Sequence, residues 1–213
     1  MKKIAIIGSG ISGLYFANQL VNNKNYDFTI YEKRSDIISD DGYGIQLSIN
    51  SVKLLNKLGF KNISSSEVFF PKKVNFFDAK TIKKICDVEI SKFNDEQNKY
   101  TTLKRSILLK FLLKNIPREK IVKNVELKNI EFNEKIKLTL SNNLTKEFDY
   151  LVISDGVFSK TKSILLRKET NPIFSNSIAL RGNIKNFNND DISLYLGSNF
   201  HFVIYPLNQN KEF

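Results

Sequence analysis

The apolar positions of the chain change period several times, and each change predicts an element. Ile4 to Ile7 is a short β-branched run of buried-strand character, and Leu14 to Val21 continues with apolar residues at helical spacing. Asp27 to Tyr31 reads as a second strand, and a short alternating one is expected behind the two glycines of Gly42-Tyr43-Gly44-Ile45-Gln46-Leu47. A helix is expected from Ser51 to Leu58, with Ser48 or Asn50 as its cap and Gly59 at its end. Pro71 to Lys80 and Lys83 to Ile90 alternate as a hairpin around Ala79-Lys80-Thr81. Ser106 to Lys114 places Ile107, Leu108, Phe111 and Leu112 on one helical face. Ile121 to Glu131 and Lys135 to Leu140 then read as two strands, with Asn142-Asn143 in the following turn. A buried strand, Tyr150 to Ile153, runs into Asp155-Gly156, and Ser159 stands where a helix can start. Beyond Leu166 the pattern turns to β, with strands expected at Ser177 to Ile184, Ser193 to Leu196 and Phe200 to Tyr205.

The first strand and helix are joined by Gly8-Ser9-Gly10-Ile11-Ser12-Gly13, and the second strand ends at Glu32. Strand, GxGxxG, helix, strand and an acid about 20 positions on form the βαβ fingerprint of dinucleotide binding. Gly8 permits the tight turn, Gly10 lets backbone approach a pyrophosphate, and Gly13 allows close helix–strand packing. The N–H groups and positive dipole end of the helix face the phosphates, while Glu32 accepts from ribose hydroxyls. Lys33 and Arg34 fall beside that ribose. Met1-Lys2-Lys3 before an apolar run also resembles a secretory signal, but the glycines and serines interrupt any apolar core and no cleavage site follows.

Composition narrows the picture further. The 213 residues are 41% hydrophobic and 26% charged, the balance of a soluble globular protein able to bury a substantial core. No apolar run approaches the ~18 residues of a membrane span. One cysteine, Cys86, excludes an internal disulfide and fits a reducing cytoplasm. With one histidine in total, no metal site is expected. The net charge of +11 is spread in scattered pairs such as Lys72-Lys73 and Lys83-Lys84. No RNA-binding aromatic motif or DNA-reading helix accompanies it, so nucleic acid is not an expected partner. Two glycines, Gly42 and Gly44, ahead of a short strand suggest backbone close to a ligand.

Glu32-Lys33-Arg34, a loop, Gly42-Tyr43-Gly44-Ile45-Gln46-Leu47-Ser48 and a helix ending in Leu58-Gly59-Phe60 resemble the opening of the class A FAD-dependent monooxygenases, the aromatic hydroxylases of the salicylate and 3-hydroxybenzoate branch. Phe148 to Lys162 resembles that family's D-x-L-V-x-A-D-G-x-x-S-x-x-R stretch, with Ser154 in place of the usual alanine and Lys162 at the terminal arginine. Arg181-Gly182 and the later Leu196-Gly197, His201 and Tyr205-Pro206 resemble its substrate-domain sheet. The resemblance implies an α/β fold: a Rossmann-like FAD-binding domain, residues 1–70 and 99–172, with a discontinuous β-sheet substrate domain, residues 71–98 and 173–213. It implies that Gly8, Ser9, Gly10, Ile11, Ser12, Gly13, Glu32, Lys33, Gly44, Arg105, Leu127 and Asp155 hold FAD. Arg105 would reach the flavin cofactor's phosphates and Leu127 would lie beside the adenine. A guanidinium at a helix start is out of place beside the dipole, which itself favours an anionic partner.

In such a cytoplasmic enzyme NADH or NADPH reduces FAD, O2 forms a C4a-hydroperoxide, and the distal oxygen passes to a small aromatic, phenolic substrate. His201 and Tyr205, four apart on a strand and so on one face, are the candidate catalytic residues. An imidazole is the side chain suited to taking a phenolic proton near neutral pH. The family's later Gly-Asp segment does not occur, so the chain is expected to be the amino-terminal part of a longer enzyme, truncated at its carboxyl end. Two other readings remain: a non-hydroxylating FAD-dependent oxidoreductase of the same fold, and an inactive nucleotide-binding fragment. A dehydrogenase using NAD alone fits the first fingerprint but leaves Asp155-Gly156 and the second sheet without a role.

Overall fold

The computed structural model describes residues 1–38, 43–185, 187–209 and 212–213. Gly42 and the end of the polar loop expected before it lie outside the described residues. The elements are, in chain order, β1 (Lys2–Ile7), α1 (Ile11–Leu20), β2 (Tyr26–Tyr31), β3 (Gly44–Leu47), α2 (Ile49–Asn56), β4 (Val68–Phe69), β5 (Lys73–Asp78), β6 (Lys84–Glu89), β7 (Thr101–Lys104) and α3 (Arg105–Leu113). There follow β8 (Ile121–Val122), β9 (Leu127–Phe132), β10 (Ile136–Leu140), β11 (Thr145–Phe148), β12 (Tyr150–Ile153), α4 (Lys160–Leu166), β13 (Ile192–Leu196) and β14 (His201–Ile204). They group into two compact units, Met1–Ser39 with Leu112–Ala179, and Asp40–Phe111 with Leu180–Phe213.

The first unit is built on a parallel sheet in the order β12-β1-β2-β8. Central parallel strands are covered on both faces, which is why β1 reads as a continuous apolar run rather than an alternating one. Ala5 and Ile7 project into a core shared with Tyr31, Val125, Leu127, Leu138, Leu140 and Phe148. The antiparallel meander β11-β10-β9 supplies much of that core. Ile4 and Ile6, also buried, alternate to the opposite face, and α1 buries Gly13, Leu14, Ala17 and Leu20. Asn18 ties α1 down further, its side-chain amide donating to the Leu112 carbonyl at 2.7 Å.

One expected strand here is two. Ile121 to Glu131 breaks at Asn124, which adopts the left-handed region at φ 58. Glu32 N–H donates to Val122 O at 2.9 Å, and Val125 N–H donates to Glu32 O at 3.0 Å. These bonds fix the bend against the end of β2, so β8 extends the parallel sheet and β9 opens the meander. Asparagine tolerates this conformation through its short polar side chain, but the apolar alternation runs on through the bend and hides it.

The second unit holds the antiparallel sheet β3-β7-β4 and the mixed sheet β14-β13-β5-β6. In the latter, β13 runs parallel to β5 while the outer pairs are antiparallel, and the expected β5–β6 hairpin forms. Ser48 precedes α2 as expected, though its hydroxyl bonds the Asn50 side chain rather than a backbone N–H. Gly59 takes φ 87 past the end of that helix.

The strand expected from Ser177 to Ile184 does not form. Only Ile184 makes strand-like bonds, exchanging N–H to O contacts of 3.0 Å with Phe213, beside a Lys185–Glu212 bridge. Alternation supplies faces, but a strand also needs a partner edge for its backbone groups. Ile178 and Leu180 accordingly stay 80% and 93% exposed.

Leu138 is fully buried in the shared core. Leu138→Ala should lower unfolding free energy by about 2–5 kcal/mol in a urea titration, by lost transfer energy and a residual cavity. Ile85→Ala, on the exposed face of β6, should change it by no more than about 0.5 kcal/mol in the same assay.

Candidate functional site

The glycine loop sits at the carboxyl ends of parallel strands, where open α/β sheets place their ligands. Each of its glycines does a different thing. Gly8 has φ +99, and a Cβ there would lie 2.5 Å from the Ser154 carbonyl oxygen. At Gly13 a Cβ would lie 2.1 Å from Gly8 O and 2.6 Å from Ser154 Oγ. These two glycines therefore let β1, α1 and the end of β12 close on one another. A Cβ on Gly10 would meet nothing within 4 Å. Gly10 is the N-cap of α1, with no side-chain cap and no acidic residue in the first turn. The result is an open approach to a positive helix end, which an anion can occupy.

Behind the loop, Ser9 is tied to Glu32. The Ser9 N–H and hydroxyl both donate to Glu32 Oε2, at 2.9 and 2.6 Å, and Arg34 N–H donates to Oε1 at 2.9 Å. Glu32 is 9% exposed. Burial pushes its carboxyl upward, but the hydrogen bonds from Ser9 and Arg34 and the Arg34 charge outweigh it and hold the group below its usual value. Among the described residues three hydrogen bonds reach this carboxylate, two at Oε2 and one at Oε1. Lys33, next along, is exposed. Leu127 starts β9 with its side chain in the shared core.

Asp155 and Ser159 organise the next part of the same unit. Ser159 Oγ donates to Asp155 Oδ1 at 2.6 Å and accepts from Lys162 N–H at 3.0 Å as the cap of α4. Thr161 N–H donates to Asp155 Oδ2 at 3.2 Å. Ser154, in place of the family's usual alanine, donates its hydroxyl to the Ile7 carbonyl at 2.8 Å, with Gly8 O at 3.1 Å. The substitution thus adds a hydrogen bond between β12 and the strand that carries the loop. A cleft of about 330 Å³ opens here, lined by Asp155, Gly156, Ser159 and Lys162 with Ile153, Leu165 and Leu166 as its apolar wall.

The remaining candidates lie in the second unit. Arg105 begins α3, its N–H donates to Tyr43 O at 3.1 Å, and its guanidinium carbon lies 5.7 Å from the centre of the Tyr43 ring. The space over Gly44 is filled by side chains: a Cβ there would lie 2.3 Å from Leu207 Cδ2 and 2.9 Å from the Tyr205 hydroxyl. His201 opens β14 opposite Leu196 and is exposed. The alternation of β14 ends at Ile204, and Tyr205 lies one residue beyond, packed on β3. Among the described residues no hydrogen bond joins His201 to Tyr205. Burial pushes the Tyr205 phenol up, Arg181 and a Gln46 hydrogen bond pull it down, and Tyr100 adds to the rise, with a net upward shift. A phenol so placed stays protonated at neutral pH and can donate to a ligand oxygen.

Tyr43, Gln46 and Arg181 entered the sequence reading only as parts of the resembling stretches and Tyr100 not at all, yet they gather around Arg105 and Tyr205. Tyr100 donates its hydroxyl to Gln46 Oε1 at 2.8 Å, and Arg181 lies 4.5 Å from the Tyr43 ring centre. The one sequence signal for them was position, since Tyr43 stands between two glycines and Arg181 precedes Gly182.

A model of the NAD(P)-binding Rossmann-like domain matches residues 6–47, the span from β1 through β3. The chain is 28% identical over 196 residues to a 6-methylsalicylate 1-monooxygenase of Aspergillus terreus, covering 84% of this chain and 43% of that one. It is 24% identical over 217 residues to a 3-amino-4-hydroxybenzoate 2-monooxygenase of Streptomyces platensis, covering 98% of this chain and 54% of the other. Among solved structures, Klebsiella pneumoniae HpxO complexed with FAD and uric acid superposes with a TM-score of 0.84 at 16% identity, over 100% of this chain and 55% of its own.

The fold is therefore the α/β, Rossmann-type fold of the FAD-dependent monooxygenases. The chain is similar in sequence to proteins named as monooxygenases, and it spans about half the length of the curated relatives it matches. Among the described residues no helix is long and apolar enough to cross a membrane, and no cluster of His, Cys, Asp or Glu could hold a metal.

Gly13→Ala should destabilise the protein by about 1–3 kcal/mol in urea unfolding, the cost of overpacking against backbone that cannot yield. Gly10→Ala, with open space and an ordinary backbone, should stay within about 0.5 kcal/mol of the parent. The depressed carboxyl of Glu32 makes its contribution to stability present above the usual glutamate value of 4.5 and lost as pH falls through the lower folded value. The stability advantage of the parent over Glu32→Gln should thus be full at pH 7 and shrink below pH ~4.5 in paired urea titrations. An advantage that grows on acidification would contradict the assignment.

Proposed function

We propose that this chain is the FAD-binding and partial substrate-binding part of a monooxygenase that uses NADH or NADPH and O2 to hydroxylate a small phenolic substrate. The observation that carries the reading is the glycine loop: an open Gly10 at an uncapped helix start, beside a buried, ionised Glu32. Similarity to named aromatic monooxygenases supports the choice of chemistry over a plain dehydrogenase. The same similarity leaves the non-hydroxylating oxidoreductase and the inactive fragment as less favoured readings.

The roles follow from the residues. Ser9, Gly10, Ile11, Ser12 and Gly13 present backbone N–H groups and the dipole end to the pyrophosphate, with Gly8 setting the turn. Glu32 and Lys33 serve the ribose, Leu127 lies beside the adenine, and Asp155 holds the α4 cap next to the cofactor. Within the second unit, Gly44 and Arg105 are the residues assigned to the cofactor. When bound and reduced, FAD supplies the activation of oxygen, and the protein binds, orients and excludes water. His201 takes the proton of the substrate phenol, which raises the nucleophilicity of the ring, and Tyr205 donates a hydrogen bond to a substrate oxygen. Residues 1–70 and 99–172 form the FAD-binding part, and 71–98 and 173–213 the substrate part. Its setting is the cytoplasm, in keeping with a single exposed cysteine.

Flavin fluorescence tests the cofactor step directly. Titrating FAD with the protein should give saturable quenching, and Gly10→Val should weaken it at least tenfold while leaving the thermal melt unchanged. Quenching that never saturates, or that ignores Gly10→Val, would remove the reading for this chain. Incorporation of label from ¹⁸O₂ into a phenolic product then separates hydroxylation from simple NAD(P)H oxidation.

A further inference from the structure

The two faces of the β3-β7-β4 sheet in the second unit are filled differently. Gln46 and Thr102, paired across β3 and β7, turn toward the Tyr100 hydroxyl and the Pro206 carbonyl. Thr101, Leu103 and Val68 alternate to the opposite face and are buried. On that face Val68 and Thr101 wall a cavity of about 230 Å³, with Val52 and Asn56 of α2 forming another side. None of its lining residues is assigned to the cofactor or to catalysis.

The body of the cavity is apolar and its rim is charged. Val52, Phe60 and Val68 are buried, and Phe60 is braced edge-on by Phe111 with ring centres 5.3 Å apart. The charged lining residues, Lys61, Glu96 and Lys99, are exposed and carry both signs. The Lys99 ammonium lies 5.5 Å from the centre of the Phe70 ring.

One polar atom inside is out of keeping with these walls. Asn56 Oδ1 is buried and bonds nothing among the described residues. Its identity as the oxygen is fixed by its neighbours, because Asn56 Nδ2 donates to Gln97 O and to Asn98 Oδ1, both at 2.8 Å. Asn98 is oriented in turn, its Nδ2 donating to the two Asp95 carboxylate oxygens at 2.8 and 2.9 Å. Exchanging the Asn56 amide would set its oxygen against two acceptors. A buried acceptor without a donor is costly, so the arrangement calls for a donor from outside the chain. A buried water makes roughly three hydrogen bonds, and the side chains of Val52, Phe60, Ile63 and Val68 offer it none.

We propose that this cavity binds a small, uncharged, planar aromatic molecule that donates one hydrogen bond to Asn56 Oδ1. The apolar walls exclude a charged body, and the rings of Phe60 and Phe70 suit an aromatic one. A dry apolar cavity of ~150 Å³ admits benzene, so the larger volume here fits a fused pair of rings. The site does not depend on the flavin reading.

Indole and benzofuran, which differ in shape by little more than the N–H, test the proposal. Titrating each into the full chain and following the methyl resonances of Val52, Ile63 and Val68 by NMR locates the ligand without any mutation. Indole should shift these methyls saturably, and benzofuran should bind at least about fivefold more weakly, the worth of one hydrogen bond. Ile63→Phe fills the cavity and should abolish the shifts at Val52 and Val68, with the thermal melt as a folding control. If that variant does not fold, the comparison of the two ligands on the parent still decides. The proposal is overturned if the three methyls do not respond, if benzofuran binds as tightly as indole, or if a folded Ile63→Phe protein keeps the parent affinity. Shifts confined to Leu207, which packs beside Tyr205 over Gly44, would also overturn it by placing indole on the other face of the sheet.

Discussion

In the first unit backbone packs against backbone where Gly13 of α1 lies over the Gly8 carbonyl, a place where an added Cβ would sit at 2.1 Å from that oxygen. The approach of helix to strand depends on that absence of a Cβ. It fixes where α1 begins, and so where its positive end and the open face of Gly10 point. Ser154 locks the third partner, bonding the Ile7 carbonyl from the end of β12. The acid side of the site then follows from the parallel register of β2 with β1, which brings Glu32 beside Ser9. A binding surface of this kind is preorganised, since its donors and acceptor are held by contacts that exist without ligand.

Electrostatics divides the molecule unevenly. In the first unit a buried carboxylate is fully ionised because Ser9 and Arg34 outweigh the cost of burial. In the second unit two arginines lie near the Tyr43 ring, no ion pair of either is found among the described residues, and the phenol of Tyr205 is pushed upward by burial. The basic surface, with its net charge of +11, is a diffuse background to these two local arrangements. It does not by itself specify a partner.

The local elements were legible wherever period and punctuation agreed. β1, α1, β2, the β5–β6 hairpin, α3, β12 and the Ser159 cap of α4 all stand within a few residues of where the pattern puts them. The exceptions were both about partners. Ile121 to Glu131 alternates smoothly, but the bonds from Glu32 and Val125 bend it at Asn124 into two different sheets. Ser177 to Ile184 alternates as well, yet it lacks a ladder and bonds only through Ile184.

The sequence alone determined the glycine loop, because at Gly8 and Gly13 the close approach of backbone leaves no room for a side chain. It also determined the order of strands and helices, through apolar periods that must face a core. Only the tertiary structure decided that the space over Gly44 belongs to Tyr205 and Leu207, that Ser9 rather than solvent satisfies Glu32, and that Arg105 and Arg181 converge on Tyr43. Those pairings join residues that are tens to more than a hundred positions apart. Local propensity carries no information about which distant side chains a folded backbone brings to the same ring.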